Sequence, residues 1–325
     1  MNVKTNSSFF ALNPDLVLEA TEEAGWLPTG EFTQLNSYEN RVFDIRLEAM
    51  PQKDQHLQRV IAKFYRPGRW SRESILEEHA FLAELKKEGI SVVAPLVQRN
   101  GSTVSTVSGM NVTFFPKILG KMPEEFLGDD LKKVGRLLAR LHNVGARSHF
   151  VHRPVLAESP YNAWDSLELL SEWVAPEVWR RYEEAAVKII QRIEDELDAK
   201  SFIRIHGDCH RGNLLFNSEY FFVDFDDSMM GPPAQDFWML LQDQSSHEKD
   251  LILSGYSELR DLPAGQWAMI PILRGLRIIS YSSWIARRWS DPTFPRLFPQ
   301  FQTYTWWAEE TEAIEKLAWS SIELN

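Results

Sequence analysis

The spacing of apolar positions changes along the chain, and the changes mark its elements. After Asn13-Pro14, the run DLVLEATEEAG reads as a short helix. Asn13 suits the cap, Pro14 the first helical position and Gly25 the stop. Stretches rich in β-branched and aromatic residues at 32–35, 42–47 and 60–65 predict strands. From Ser71 onward, Ile75, Leu76, Phe81, Leu82 and Leu85 recur near helical spacing, and Gly89 ends that helix. Segments 92–97, 102–107 and 111–115 predict more strands, with Asn100-Gly101 as a hairpin turn. The character changes at 116–120. Beyond it, 129–145 (DDLKKVGRLLARLHNVG) is strongly periodic, and two further helical stretches cover about 162–199 around Pro176. A compact strand region follows, IRIHGDCHRGNLLFNSEYFFVDFDD, with Asn217-Ser218-Glu219 as its last turn. From about Pro233 the chain is helical and rich in Trp. The expected class is α+β: a β-rich lobe over 1–116 joined by a short hinge to an α-helical lobe over 117–325.

Composition narrows the function. At 325 residues the chain has room for two cores, and 44% hydrophobic with 25% charged residues is ordinary for a globular protein. This excludes disordered, collagen-like and coiled-coil chains. A net charge of -11 disfavours general nucleic-acid binding. Cys209 is the one cysteine, so no disulfide forms within the chain, which suits a reducing compartment. The N-terminal run lacks the apolar stretch of a signal peptide, and no apolar stretch is long enough to span a bilayer. A cytoplasmic monomer, without membrane or nucleic-acid partners, is the expectation.

The candidate chemistry lies in His206-Gly207-Asp208-Cys209-His210-Arg211-Gly212-Asn213, followed by Asp224 on a strand. One carboxylate and one carboxamide sit five positions apart on a loop between strands. A second carboxylate follows at the end of a strand. Phosphoryl transfer from a nucleotide needs such a set: a proton acceptor for the attacking hydroxyl, and hard oxygen ligands that hold Mg²⁺ against phosphates. The spacing carries the signal. Alone, His206 reads as a structural histidine, and Asp226-Asp227 as turn residues.

Taken together, HGDCHRGN, VDFDD and GPPAQDFW resemble the aminoglycoside phosphotransferase and choline kinase family. That resemblance implies a bilobal protein-kinase-like fold, with nucleotide binding in the first lobe and catalysis and acceptor binding in the second. Segments outside the motif, LNSYENRV at 35–42, AKFYRPGRW at 62–70, ILEEH at 75–79, FVHRP at 150–154 and RRWSDPTFP at 287–295, resemble a bacterial branch of serine/threonine protein kinases active in the envelope-stress response. The resemblance implies ATP as co-substrate, Mg²⁺ as cofactor, and protein Ser/Thr acceptors including the enzyme itself. The alternative it leaves is a small-molecule kinase for an aminoglycoside, choline or homoserine. A rival of another class is a pseudokinase that only binds. Position by position, it implies Asp208 as proton acceptor, Asn213 as metal ligand, and Asp224 as a metal ligand that also counts among the catalytic residues. It implies Lys63 as the phosphate-pairing lysine and Ser37 as an ATP contact. Glu78, rather than its neighbour Glu77, matches the helix glutamate that orients Lys63, because E-x-x-F-L-x-x-L is the family's helix pattern. Plainer readings stand beside these: a solvated strand lysine for Lys63, and an Asn/Ser turn for Ser37.

The sequence departs from protein kinases in three places. No G-x-G-x-x-G precedes Lys63, Gly207 stands at the H-R-D arginine, and Asp226 stands at the D-F-G glycine. Cys209, beside a carboxylate, reads as an inert buried thiol rather than a redox switch. Asp236 is a candidate brace for the catalytic loop, with a plain helix-terminal charge as the alternative. His152-Arg153-Pro154 has no assigned role. The Trp-rich helices read as packing core in preference to an aromatic cage.

Overall fold

The computed structural model describes residues 9, 11–49, 57–123, 125–126, 129–156, 162–242, 244–262 and 264–320. Its elements run α1 (Pro14–Ala24), β1 (Pro28–Leu35), β2 (Arg41–Leu47), β3 (Arg59–Phe64), α2 (Arg72–Lys87), β4 (Ser105–Val107) and β5 (Met110–Pro116). Then come α3 (Asp130–Gly145), α4 (Ala163–Leu170), α5 (Pro176–Glu196), β6 (Ile203–Ile205), β7 (Leu214–Phe216), β8 (Tyr220–Phe222) and β9 (Met229–Gly231). The chain closes with α6 (Pro233–Leu241), α7 (Ser246–Ser257), α8 (Ala264–Ala268), α9 (Ile270–Arg288), α10 (Thr293–Leu297) and α11 (Tyr304–Ala318). Two compact units form. The first is Met1–Glu125 with Val151–Arg153 and Gly212–Asp226; the second is Phe126–Phe150, Pro154–Arg211 and Asp227–Asn325.

In the first unit a five-stranded antiparallel sheet has the order β1-β2-β3-β5-β4. Alternation sorts its faces. Val60, Ala62 and Phe64 of β3 join Phe43, Ile45, Val112 and Phe114 in a core that buries Val17, Ala20 and Ala24 of α1. Lys63 lies between them and takes the other face, in register with Val42 and Thr113. A lysine in a central strand is thereby desolvated, so it needs anionic partners. Helix α2 starts at Ser71, whose side chain accepts the Ser74 N–H, and carries basic residues in its last turn.

Two expected features differ. Segment 92–97 is extended but is not a strand: Val92 makes one isolated bridge to Phe222, and Leu96 N–H donates to Phe114 O at 2.7 Å. Pro95 has no N–H to give a ladder. Asn100-Gly101 does turn the chain, but the hairpin of β4 and β5 closes at Ser108-Gly109, both at positive φ (47° and 78°). That is the left-handed geometry a two-residue hairpin loop requires.

In the second unit β6 pairs antiparallel with β9, and the remaining core is helical. Helices α3 and α7 meet at reciprocal glycines. A Cβ on Gly135 would lie 2.0 Å from Ile252 O, and one on Gly255 would lie 2.1 Å from Lys132 O. Both obstacles are helix backbone, which cannot yield cheaply. Gly135→Ala is therefore expected to cost more than the ~1–3 kcal/mol usual for overpacking. Gly265→Ala, with open space around its Cβ, serves as the neutral control; thermal unfolding of the two variants checks the difference. In the Trp-rich region several rings pack on one another. Trp173 meets Trp289 and Phe301 at 5.7 and 5.5 Å between ring centroids, and Trp307 meets Phe301 and Tyr182 at 5.0 and 6.0 Å. Among the described residues, no helix is long and apolar enough to cross a membrane.

Candidate active site

Within the first unit, Lys63 Nζ lies 3.1 Å from Asp224 Oδ1 and 3.1 Å from Asp226 Oδ1. Burial alone would lower the Lys63 pKa; Asp224 and then Asp226 overcome it and hold the ammonium charged. The two aspartates differ in surroundings. The Asp224 side chain is 58% accessible, that of Asp226 4%. Asp224 also has φ +60°, a left-handed conformation that non-glycine residues adopt rarely and Asp more readily than most. The backbone thus turns sharply and leaves the Asp224 carboxylate in the open. Asn213 sits at the start of β7, and its carbonyl accepts the Val223 N–H at 2.9 Å. The residue before Asp224 is therefore hydrogen-bonded directly to Asn213.

Asp226 is the buried hub. It accepts Asn40 Nδ2–H at 3.1 Å and pairs closely with Arg69. Burial would raise its pKa; the Arg69, Lys63 and Arg153 charges bring it below the usual carboxylate range. Asn40 Oδ1 in turn accepts the Arg66 N–H, and Arg66 binds the carbonyls of Glu39 and Tyr38. The loop between β1 and β2 is therefore fixed to Arg66, just after the strand of Lys63. Ser37 lies in that loop, half-buried, and its hydroxyl accepts the Asn40 N–H at 3.4 Å. Helix geometry sends Glu77 and Glu78 different ways. Glu78 is buried, and its ion-pair partner is Arg153, with Arg153 Nη1 3.7 Å from Glu78 Oε2. Burial pushes the Glu78 carboxyl up to about 7 against the pull of Lys63 and Arg153. Glu77 instead accepts the backbone N–H groups of Val151, His152 and Arg153.

Within the second unit, Asp208 Oδ1 accepts from Arg277 Nη2 at 3.1 Å, and Oδ2 lies 3.4 Å from His210 Nε2. Burial opposes its charge, but the bond to His210 and the Arg277 charge hold its pKa well below the usual range. Asp236, wholly buried, braces the loop: Oδ2 accepts the His206 N–H at 2.9 Å and Oδ1 the Gly207 N–H at 2.8 Å. His142 Nε2 lies 3.1 Å from Asp236 Oδ2, and His142 Nδ1 lies 3.0 Å from the Tyr256 hydroxyl. Gly207 has φ +83°, and a Cβ there would stand 2.1 Å from Asp227 O. That excludes the arginine found at this position in protein kinases. Cys209 is fully buried, and burial raises its thiol pKa well above normal. Iodoacetamide at pH 8 is expected to leave Cys209 unmodified in the folded protein and to label it in denaturant; mass spectrometry checks this. Arg277 also lines a pocket of about 510 Å³ with Arg274, Trp238, Glu309, Glu312 and Lys316.

The comparisons define the class. The model of the phosphotransferase enzyme family (APH) matches residues 31–267, and the chain belongs to that family. Stress response kinase A of Escherichia coli (strain K12) is 32% identical over 312 residues, covering 94% of this chain and 92% of that protein. Serine/threonine protein kinase RdoA of Salmonella typhimurium (strain LT2) is 34% identical over 309 residues, with the same coverage. Among solved structures, amicoumacin kinase hAmiN in complex with AMP-PNP, Ca²⁺ and Ami is similar at TM-score 0.75 and 19% identity, covering 94% of each chain. A microcompartment-associated aminopropanol kinase is similar at TM-score 0.70 and 21% identity, covering 94% of this chain and 96% of that one. The fold is accordingly that of the APH kinases, and the chain is a phosphotransferase.

Several residues of these networks escaped the sequence reading. Asp226 looked like a turn residue, and Arg69, Asn40 and Arg277 had no motif of their own. Arg69 and Asn40 do fall inside the two segments AKFYRPGRW and LNSYENRV, which were the available signal.

Proposed function

We propose that the protein is an ATP- and Mg²⁺-dependent serine/threonine protein kinase that phosphorylates protein hydroxyls, its own included. The observation that carries this is the match over 94% of the chain to relatives named stress response kinase A and serine/threonine protein kinase RdoA. In this reading Asp208 receives the proton of the acceptor hydroxyl as its oxygen bonds to the γ-phosphorus and the bond to ADP breaks. A carboxylate held so firmly ionised is a weak base, which suits a loose transition state in which the proton moves late. Arg277 and His210 fix its two oxygens, so its main contribution is position. Lys63 pairs with the nucleotide phosphates, exchanging an aspartate for them. Ser37 contacts ATP from the β1–β2 loop, and Glu78 supports Lys63 electrostatically. Asn213 and Asp224 offer a carboxamide and an accessible carboxylate, hard oxygen donors of the kind Mg²⁺ takes. Held there, Mg²⁺ would neutralise charge on the phosphates. The expected division is nucleotide binding by 1–116 and catalysis by 117–325, in a cytoplasmic monomer.

A second reading is a small-molecule kinase, favoured by the named functions of the similar structures, amicoumacin and aminopropanol kinases. Labelled ATP with Mg²⁺, offered a generic protein acceptor and separately aminoglycosides, choline and homoserine, decides. Phosphoserine and phosphothreonine are expected in protein. Label found only on a small molecule would replace the protein-kinase reading with the second.

A further inference from the structure

Arg153 belongs to a short excursion of the chain. Residues Val151–Arg153 pack in the first unit, while the chain on both sides packs in the second. Three backbone N–H groups of the excursion, from Val151, His152 and Arg153, converge on the Glu77 carboxylate at 2.7, 2.7 and 3.0 Å. Ser74 Oγ donates to His152 O at 2.7 Å. The excursion is thus bonded along α2 by a carboxylate and a hydroxyl one turn apart. This clamp delivers one side chain inward. Arg153 is 3% exposed, and its guanidinium carbon stands 4.3 Å over the Trp70 ring. Nη1 faces Glu78 at 3.7 Å. Nη2 donates to Phe225 O at 3.4 Å and, in a closer bond, to Asp226 O.

We propose that Arg153 is the positioning residue of the phosphate-binding lysine: its planar fork joins Glu78 of α2 to the carbonyls of Phe225 and Asp226, and so holds the Asp224–Asp226 turn against Lys63. This rests on the reading of Lys63 and Asp224 as the nucleotide-binding pair. Three features support it. The fork occupies carbonyls directly after Asp224, the residue in the left-handed conformation, so it fixes the turn that presents Asp224. It supplies Glu78 with a cation, leaving the Lys63 ammonium on Asp224 and Asp226. Glu77, next to Glu78, holds the backbone of the same excursion, so two adjacent carboxylates of α2 place one guanidinium. Lysine does not substitute, because its compact ammonium lacks both the planar fork that reaches Glu78 and the two carbonyls at once and the flat face that stacks on indole.

The test measures nucleotide binding by the full chain and then steady-state turnover, for Arg153→Lys, Arg153→Met, Glu77→Gln and Lys63→Met. Both Arg153 variants are expected to weaken Mg²⁺-dependent binding of a non-hydrolysable ATP analogue about tenfold or more, and to raise KM for ATP in proportion. KM for the acceptor is expected to stay unchanged, a split that a general loss of stability would not give. Glu77→Gln, which loosens only the clamp, is expected to show the same split more weakly. Should Arg153→Met fail to fold, the double variant Glu78→Gln/Arg153→Met removes both buried charges and takes its place. Wild-type binding in folded Arg153 variants, with binding lost in Lys63→Met, overturns the role of Arg153 alone. Wild-type binding in Lys63→Met overturns the nucleotide-site reading, and the inference with it.

Discussion

Asp208→Asn is expected to lower turnover by at least ~10²-fold while leaving nucleotide binding nearly unchanged. The lower bound is that of a positioned acid or base. Asparagine keeps the shape and still offers an oxygen to Arg277, so the loop braced by Asp236 stays in place. What is lost is the proton acceptor and the charge. Asp208 is not expected to touch the nucleotide phosphates, so affinity for ATP has no reason to fall. Turnover near that of the wild type would remove Asp208 from the chemistry. Titration of a non-hydrolysable ATP analogue on the same sample separates this loss from misfolding.

Asp224→Ala and Asp226→Ala are expected to fail in different ways, although both remove a carboxylate 3.1 Å from Lys63. Asp224 is accessible, and without it Lys63 keeps Asp226 as partner. The protein is expected to fold with little loss of stability and to lose the Mg²⁺ dependence of nucleotide binding together with turnover. Asp226 is buried and shared by Lys63, Arg69 and Asn40. Removing it leaves Lys63 only the accessible Asp224 and takes from Arg69 its close carboxylate, and the usual scale for a broken buried pair is about 3–5 kcal/mol. Urea unfolding and nucleotide titration with and without Mg²⁺ distinguish the two. Full Mg²⁺ dependence in Asp224→Ala would place the metal ligands elsewhere.

Much of this was legible in the residues. The period-two pattern of β3 put Lys63 on the face opposite Val60, Ala62 and Phe64, and the helical spacing after Ser71 put Glu77 and Glu78 on different faces. The role suggested for Asp236 as a brace appears as two bonds to the backbone of His206 and Gly207. What stayed hidden depends on contacts distant in sequence. Segment 92–97 reads as a strand by composition, yet with Pro95 in it the segment makes one isolated bridge and no continuous ladder. The pairing of Arg69 with Asp226 spans well over a hundred residues, and nothing local marks Asp226 as buried. Arg153 could be seen only as part of a family-like segment, because its role comes from Trp70, Glu78 and the Phe225 carbonyl. Gly207 showed as a departure from protein kinases; the nearby Asp227 carbonyl explains it.

If this chain moves the γ-phosphoryl group of ATP to protein hydroxyls with Asp208 as proton acceptor, ADP and phosphoamino acids form together and depend on Asp208 alike. The direct measurement is the joint yield of ADP and of phosphoserine plus phosphothreonine, after incubating wild-type protein and Asp208→Asn with ATP, Mg²⁺ and a protein acceptor. The expected result is matched ADP and phosphoamino acid in the wild type, with both falling at least ~10²-fold in Asp208→Asn. ADP without protein-bound phosphate, or equal yields from the two proteins, would contradict it.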